Sequence, residues 1–225
     1  MASEQGRRWA RYLAEFVVVF LGVSLSFFAE DLRENRRDRQ EEHASLVRLH
    51  SNLTESDFEN ELTRTSLSIS GIERILAVQD SALPSTDSLS AWLSDAAACT
   101  PIVVNRSEYE SLRSSGKLSL LRDADLRRLL TAHYERYNAV LDLSRRECDF
   151  SYMRPIASSV RVVPRFSYPR YVVTGDVSVI LRDDTFMLEI GHVHQVKTVL
   201  RTRYRIMDAQ RDTLLHKVNA LLEHR

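Results

Sequence analysis

Apolar residues recur every three or four positions along most of the chain, which is the spacing of one face of an α-helix. The first stripe, Leu46–Leu76, predicts one amphipathic helix that ends at Leu83-Pro84-Ser85. A second stripe, Leu126–Cys148, lies in a helix that Asp123 is predicted to cap. A third stripe lies in a helix that starts near Asp184 and continues to the C-terminus. The pattern therefore predicts three long helices.

Short helices are predicted in the connections. One has its apolar face at Leu89–Ala96 and stops at Pro101. Another is predicted to start at Ser107, where Glu110 three residues later completes a capping box. Gly116 would close this helix as its C-cap.

Helices with a single apolar side must bury those sides against one another, so the predicted fold class is all-α. We expect an N-terminal transmembrane helix that continues into a long stalk helix, followed by an antiparallel bundle of three long helices with short capping helices. The predicted divisions are residues 1–30 for the tail and anchor, 31–44 for the charged stalk and 45–225 for the soluble bundle.

The anchor is predicted from Trp9–Ala29, with the sequence WARYLAEFVVVFLGVSLSFFA. As a helix these residues would extend about 32 Å, enough to cross a bilayer, and Phe16–Ala29 carry no charge. Trp9 and Tyr12 occupy the position of an interfacial aromatic belt. The alternative is a cleaved signal peptide, but cleavage after Ala29 would place Phe27 where a small residue is needed. An uncleaved anchor is therefore favoured.

Glu15 is an acidic residue inside this predicted span, and two interpretations stay open. Arg11 lies one helical turn earlier and can neutralise the Glu15 carboxylate. Alternatively, several Glu15 carboxylates converge in an oligomer and carry protons or ions. Gly22 and Ser26 have the spacing that permits close helix approach, which is common in membrane spans.

The flanking charges give a weak indication of orientation. Three arginines precede the span and four follow it closely, within the charged stalk of residues 31–44. Because a short tail with three arginines is hard to translocate, we expect the N-terminus inside and the body outside. The predicted location is the bacterial inner (plasma) membrane, single-pass, with the body on the periplasmic or outer side.

Composition excludes some partners. The chain has 31 basic and 31 acidic residues, so no overall field attracts nucleic acid. Two cysteines, Cys99 and Cys148, cannot form a disulfide scaffold, and both are predicted to be small apolar residues beside helical faces. Whether they pair with each other is left open.

No motif for phosphate binding, metal binding or nucleophilic catalysis is present in the sequence. The nearest candidate is Glu189–His194, but on a helix its two histidines point in different directions. His133 lies on the apolar stripe and is predicted to be a buried neutral histidine. We therefore predict that the chain is not an enzyme, binds no metal and needs no cofactor.

Pro155 is predicted to end or kink the second long helix, and residues 155–183 to be irregular. The loop from Arg154 to Arg170 has basic and aromatic residues and no acid: Arg154, Arg161, Arg165, Arg170 and Tyr168. Arginine beside aromatic rings suits an anionic ligand or lipid headgroups. The alternative is a strap whose aromatics cover the bundle end while the arginines face water. The predicted chain direction places this loop at the membrane-facing end.

Two stretches, RRWARYLAEFVVVFLGVSLSFFAEDLREN and Ser107–Asn138, resemble a bacterial family of uncharacterised single-span membrane proteins. Together they cover roughly a quarter of the chain. The resemblance implies an N-terminal span followed by a helical body, and it implies no activity.

Two functions follow as hypotheses. The first is a membrane-anchored helical interaction module, a sensor or scaffold, whose partners are membrane lipids and either another protein or further copies of the chain. The second is an oligomeric ion or proton conduit built from the single span around Glu15. The module needs only an anchor, so it is favoured.

Overall fold

The computed structural model describes residues 2–56, 58–80, 82–99, 102–159, 165–167 and 170–223. Within these ranges, side chains are described except at 2–15, 18, 79–80, 149–159, 165–167 and 170. The described chain is mostly helical, as predicted, with one small β-hairpin.

Seven α-helices account for most of the described residues: α1 Ala2–Thr54, α2 Phe58–Leu76, α3 Thr86–Ala97, α4 Ser107–Ser114, α5 Ala124–Ser159, α6 Val177–Leu181 and α7 Asp184–Glu223. Short 3₁₀ turns follow α2 and α4, at Ala77–Asp80 and Lys117–Leu120. The hairpin pairs β1 Arg165–Ser167 with β2 Arg170–Val172 in antiparallel register.

The long helix α1 contains the whole segment predicted as an anchor. It continues without a break from Ala2 to Thr54, through the charged stalk and into the bundle. Within the part of the chain that the structure describes, no helix combines the length and the apolar character needed to cross a membrane.

The prediction of one helix along the first stripe is wrong, because the chain leaves helical geometry at Glu55 and Ser56 and re-enters it at Phe58. Two hydroxyl groups at the break bond back to carbonyls of the preceding turn, Thr54 to His50 at 2.8 Å and Ser56 to Asn52 at 3.0 Å. Such bonds compete with the helical ladder. The stripe also has a five-residue step at this point, from Leu53 to Phe58.

Despite this break, α1 and α2 follow one another along α7 in the opposite direction to it. Arg211 donates to the Ser56 carbonyl at 3.0 Å, and His194 lies 3.4 Å from Glu73 farther along α2. Helix α5 also runs antiparallel to α7, since Lys217 pairs with Asp123 near its start and Lys197 with Glu147 much later. The predicted antiparallel bundle is therefore present, with α1 and α2 end to end in the place of the first long helix.

The structure confirms the predicted helix cap at Asp123, shows a second cap at Asp183 and excludes the predicted cap at Ser107. Asp123 Oδ1 accepts from the Leu126 N–H at 2.7 Å, and Asp183 Oδ1 accepts from the Phe186 N–H at 2.9 Å. Ser107 is not a cap. Its N–H donates to Asn105 Oδ1 at 3.2 Å, and α4 has already begun at Ser107. Pro155 lies inside α5, which continues to Ser159, so of the two predicted outcomes the end of the helix at Pro155 is excluded.

Two hydrophobic cores lie one after the other along the bundle. The stalk-side core contains Leu46, Leu53, Tyr109, Leu130, Tyr134, Met207 and Val218. The hairpin-side core contains Ile72, Leu89, Leu93, Tyr171, Val177, Phe186 and Val193. Along α7 the change from one core to the other falls between Val193 and Leu200. The residue in the middle of that interval is Lys197.

Candidate functional site

A layer of buried polar side chains separates the two hydrophobic cores. Its members are Glu61 and Ser68 from α2, Ser144 and Glu147 from α5, and Lys197 and Tyr204 from α7. Each is at most 9% exposed to solvent. Buried polar groups are costly unless they are paired, so this layer is the unusual feature of the bundle.

The centre of the layer is an ion pair between Lys197 and Glu147. Lys197 Nζ lies 2.8 Å from Glu147 Oε1, and their side chains are only 3% and 4% exposed. The same ammonium group donates to the Ala98 carbonyl oxygen at 2.9 Å. Burial lowers the pKa of Lys197, while the adjacent Glu147 carboxylate acts in the opposite direction.

A disulfide between Cys99 and Cys148 lies against this ion pair. The two Cα atoms are 5.4 Å apart, and 49 positions separate the residues in sequence. The question of pairing, which the sequence leaves open, is therefore answered by a disulfide between the two cysteines. Glu147 Oε2 lies 3.0 Å from Cys99 Sγ. A disulfide sulfur has no proton to donate, so this contact would become a hydrogen bond only when the bond is reduced.

Tyr204 and a small cavity complete the layer. Burial raises the pKa of Tyr204 to about 12, with Glu61 and Glu147 adding to the shift and the hydrogen bond to Ser144 opposing it. The Tyr204 hydroxyl donates to Ser144 Oγ at 3.1 Å. Glu61, Glu147 and Lys197 help to line a cavity of about 10 Å³, which is roughly the space that one water molecule needs.

The layer does not suit a metal ion while the disulfide is formed. Ligand atoms of Cys99, Glu147 and Cys148 lie within 4.8 Å of one another. However, a cysteine binds a metal ion as its thiolate, and both sulfurs are bonded to each other in the disulfide. The remaining carboxylate already faces the Lys197 ammonium group, which occupies the place of a cation.

The sequence contains one signal for this site that periodicity alone overlooks. Only three lysines occur in a chain otherwise rich in arginine, and Lys197 is one of them. It interrupts the apolar stripe of α7 at a position where Val193 and Leu200, one turn before and after, are core residues. A lone lysine on a core stripe predicts a buried partner, but the stripe cannot identify Glu147 as that partner.

His133 is a further buried ionisable group, and it confirms the prediction of a buried neutral histidine. It is 0% exposed, with its ring edge-on to Phe58 and Tyr134. Among the described residues, neither of its ring nitrogens has a hydrogen-bond partner. Burial, and then the charges of Arg136 and Arg211, lower the pKa of His133 to about 4.

The structure gives backbone positions for four of the residues predicted from the sequence as site residues. Arg154 lies in the last turns of α5, Arg165 in β1, Arg170 in β2 and Glu15 in α1, and their side chains are outside the described part of the chain. Arg161 and Tyr168 lie outside the described residues altogether. Their roles therefore stay predictions.

The hairpin that carries Arg165 and Arg170 is held against α3. The Tyr171 N–H donates to Ser94 Oγ at 2.9 Å, and the Val173 N–H donates to Ser90 Oγ at 2.8 Å. Because α5 runs in the same direction as α1 and α2, the hairpin lies at the end of the bundle away from the stalk. The predicted chain direction, which placed this loop at the stalk end, is wrong, since the chain returns through α3 and α4 before α5 begins.

Comparison of the chain with family models, with curated proteins and with solved structures finds no match in any of the three. The resemblance to a bacterial family of single-span membrane proteins therefore stays a prediction.

Proposed function

We propose that this protein is a membrane-anchored helical interaction module, a sensor or scaffold. The observation that carries the proposal is the exposed apolar surface of α1. Nine large apolar side chains between Phe16 and Phe28 are each 42–69% exposed. Burying such side chains fully is worth about 1.5–3 kcal/mol each, so leaving them in water is strongly unfavourable.

The distribution of these side chains favours lipid over a one-sided protein contact. Val19, Phe20 and Leu21 are consecutive and all exposed, so they point in different directions around the helix. A helix that is apolar all round is typical of a protein interior or a membrane span. From Glu30 onward the same helix is strongly charged and exposed, which suits a stalk that leaves the membrane.

The disulfide supports a location of the body outside the cytoplasm. Disulfides persist in oxidising compartments such as the bacterial periplasm and are rare where thiols are kept reduced. The bond between Cys99 and Cys148 thus agrees with the orientation indicated by the three arginines before the span. We infer that the chain sits in the bacterial inner membrane with its bundle on the periplasmic or outer side.

The basic hairpin is the surface that we assign to a partner. Arg165 and Arg170 belong to paired strands that α3 holds at the end of the bundle away from the stalk. A basic hairpin at the tip of an anchored rod can reach an anionic ligand or an acidic protein surface at a distance from the bilayer. At this loop we therefore propose a partner in the aqueous compartment, in place of the lipid headgroups suggested by the sequence.

The anchor is tested by washing membranes with alkaline carbonate. The full-length protein is expected to stay in the membrane pellet, because the exposed apolar side chains between Phe16 and Phe28 partition into the bilayer. Replacing Phe20 and Val23 by arginine should release it or prevent insertion, since each charge near the bilayer centre costs about 2.5–3.5 kcal/mol. Replacing the same two residues by leucine is the matched control and should leave the protein in the pellet. Release of the intact wild-type protein by the wash would contradict the anchor.

The ion or proton conduit is the second candidate, and nothing in the described residues favours it over the module. Ser26 Oγ donates to the Gly22 carbonyl at 2.9 Å, which satisfies the hydroxyl within α1 itself. A conduit requires that the wild-type protein conducts in liposomes and that Glu15→Gln abolishes this conductance. The module requires no conductance from either protein.

A further inference from the structure

The surroundings of the Cys99–Cys148 disulfide are unusual for a bond that only holds the chain together. Both cysteines are partly exposed, whereas Glu147 and Lys197 beside them are almost fully buried. A purely structural bond gains nothing from a buried ion pair, because apolar residues of similar volume fill such space at lower cost. The carboxylate is also placed asymmetrically, at 3.0 Å from Cys99 Sγ.

We propose that Cys99–Cys148 is a thiol-exchange site, at which a reducing dithiol attacks Cys148 and the Lys197–Glu147 pair supplies the proton to the departing Cys99 sulfur. This goes beyond the proposed function of an anchored interaction module, since it assigns a chemical reactivity to the body. The co-reactant is a small or protein dithiol, and the product is the same chain with two free thiols.

The reaction consists of two exchange steps. In the first, a thiolate of the reductant bonds to Cys148 Sγ, the Cys99–Cys148 bond breaks, and its electron pair goes to Cys99 Sγ. A proton passes from Lys197 through the Glu147 carboxylate to that sulfur, so Cys99 becomes a thiol. In the second, the other thiolate of the reductant bonds to the reductant sulfur that is attached to Cys148, and the bond from that sulfur to Cys148 breaks. Cys148 leaves as a thiolate and takes a proton from water, and neutral Lys197 also regains its proton from water. The dithiol is oxidised to a disulfide, and the protein gains two electrons.

Electrostatics select Cys148 as the sulfur under attack. A thiolate that approaches Cys99 would meet the Glu147 carboxylate at 3.0 Å from its target. Arg145 precedes Cys148 by three positions, which places both residues on one face of α5, and this arginine is exposed. Its positive charge favours the approach of a thiolate.

The departing Cys99 sulfur needs a proton because the Glu147 carboxylate lies beside it. A Cys99 thiolate would form next to the Glu147 carboxylate in a poorly solvated layer, where two like charges repel strongly. Lys197 can donate this proton, because its ammonium group lies 2.8 Å from the other oxygen of that carboxylate. The other charged groups around the small cavity are Glu61 and Arg64, which α2 contributes.

Reduction would remove the covalent link between the α3–α4 connection and α5. That connection crosses the polar layer at Ala98 and Cys99, where the two hydrophobic cores meet. The hairpin-side core, with the hairpin on α3, would then be joined to the rest of the bundle through α2 and α7. The oxidation state thus sets how firmly the hairpin end of the bundle is held.

The test compares rates of reduction in full-length protein solubilised in detergent, without denaturant. Dithiothreitol is added, samples are quenched with an alkylating reagent, and the mass increase counts free thiols. The variant is Glu147→Gln combined with Lys197→Met, which removes the proton donor without leaving a buried charge. Its matched control is Asp125→Asn with Arg128→Gln, which neutralises an exposed ion pair of the same helix.

Wild type and control are expected to be reduced at the same rate. The Glu147/Lys197 double variant is expected to be reduced at no more than about one tenth of that rate, because it has lost general acid catalysis. In denaturant all three should react at one rate. Equal native rates for the double variant and wild type would overturn the proposal, as would a wild-type disulfide that dithiothreitol reduces only in denaturant.

The position of attack gives an independent readout. Glutathione, a monothiol, is added to the wild-type protein, and the reaction is stopped early so that the mixed disulfide accumulates. Peptide mass spectrometry is expected to find glutathione on Cys148. Glutathione found mainly on Cys99 would contradict the assigned leaving group and overturn the proposal.

Discussion

Glu147→Ala is expected to lower the free energy of unfolding by about 3–5 kcal/mol, because it leaves the Lys197 ammonium group buried without its partner. Chemical denaturation of the full-length protein in detergent, followed by circular dichroism, measures the change. Glu135→Ala is the matched control, since Glu135 lies on the same helix but is exposed. The control should change the free energy of unfolding by no more than about 0.5 kcal/mol.

The same experiment distinguishes the net contribution of the ion pair to the free energy of unfolding from the loss caused by removing one partner. Replacing both Glu147 and Lys197 by apolar residues of similar volume is expected to recover most of the lost stability, because no charge is left buried. A loss below about 1 kcal/mol in Glu147→Ala would mean that water reaches Lys197, and the polar layer would then not be closed as described.

His133 is expected to make the protein sensitive to mild acid. Its pKa is about 4 in the folded chain and about 6.5 when exposed, so between these values the unfolded chain binds more protons. Stability is therefore fully present above about pH 6.5 and is lost as the pH falls towards 4. The shift corresponds to about 3 kcal/mol in total, of which about 2 kcal/mol should be lost between pH 7.5 and pH 5.

Unfolding of wild type and His133→Leu at several pH values measures this contribution. The leucine variant should lose about 2 kcal/mol less than wild type between pH 7.5 and pH 5. His43→Gln is the control, because His43 is exposed and should leave the pH dependence unchanged. Parallel pH profiles for wild type and His133→Leu would contradict the burial of a neutral histidine.

The helical part of the fold could be predicted from the sequence because the information is local. The stripe of Leu46, Leu49 and Leu53 is fully buried, and the carboxylates of Asp123 and Asp183 cap the helices that they precede. The errors arose where local signals compete. The break near Ser56 depends on hydroxyl groups that bond to the previous turn, and such groups occur inside helices as well.

The direction of the chain was harder to predict than its helices. Two short helices and an extended link bring the chain from the end of α2 back to the stalk before α5 begins. Lys117, just after α4, lies 2.5 Å from Glu41 in the stalk, and the Arg122 N–H donates to Glu42 at 2.7 Å. Because these contacts join residues 76 and 80 positions apart, local periodicity carries no trace of them.

The candidate site could be predicted only in part. A lysine on the core stripe of α7 indicates that a buried partner exists, but Glu147 is an unremarkable acid in the charged run of Arg145 and Arg146. The pairing of Cys99 with Cys148 depends on how the α3–α4 connection crosses α5, which is a tertiary feature. Composition located the basic segment but predicted it to be irregular, and both its hairpin and its distance from the stalk required the course of the whole chain.

The central claim, an anchored body outside the cytoplasm, is tested most directly by protease accessibility in sealed membrane vesicles. In right-side-out vesicles, trypsin is expected to digest the body, including the arginine-rich stalk, and to leave a short membrane-embedded N-terminal fragment. In inside-out vesicles the body should be protected until detergent opens the membrane. Protection of the body in right-side-out vesicles, or its digestion in intact inside-out vesicles, would contradict this account.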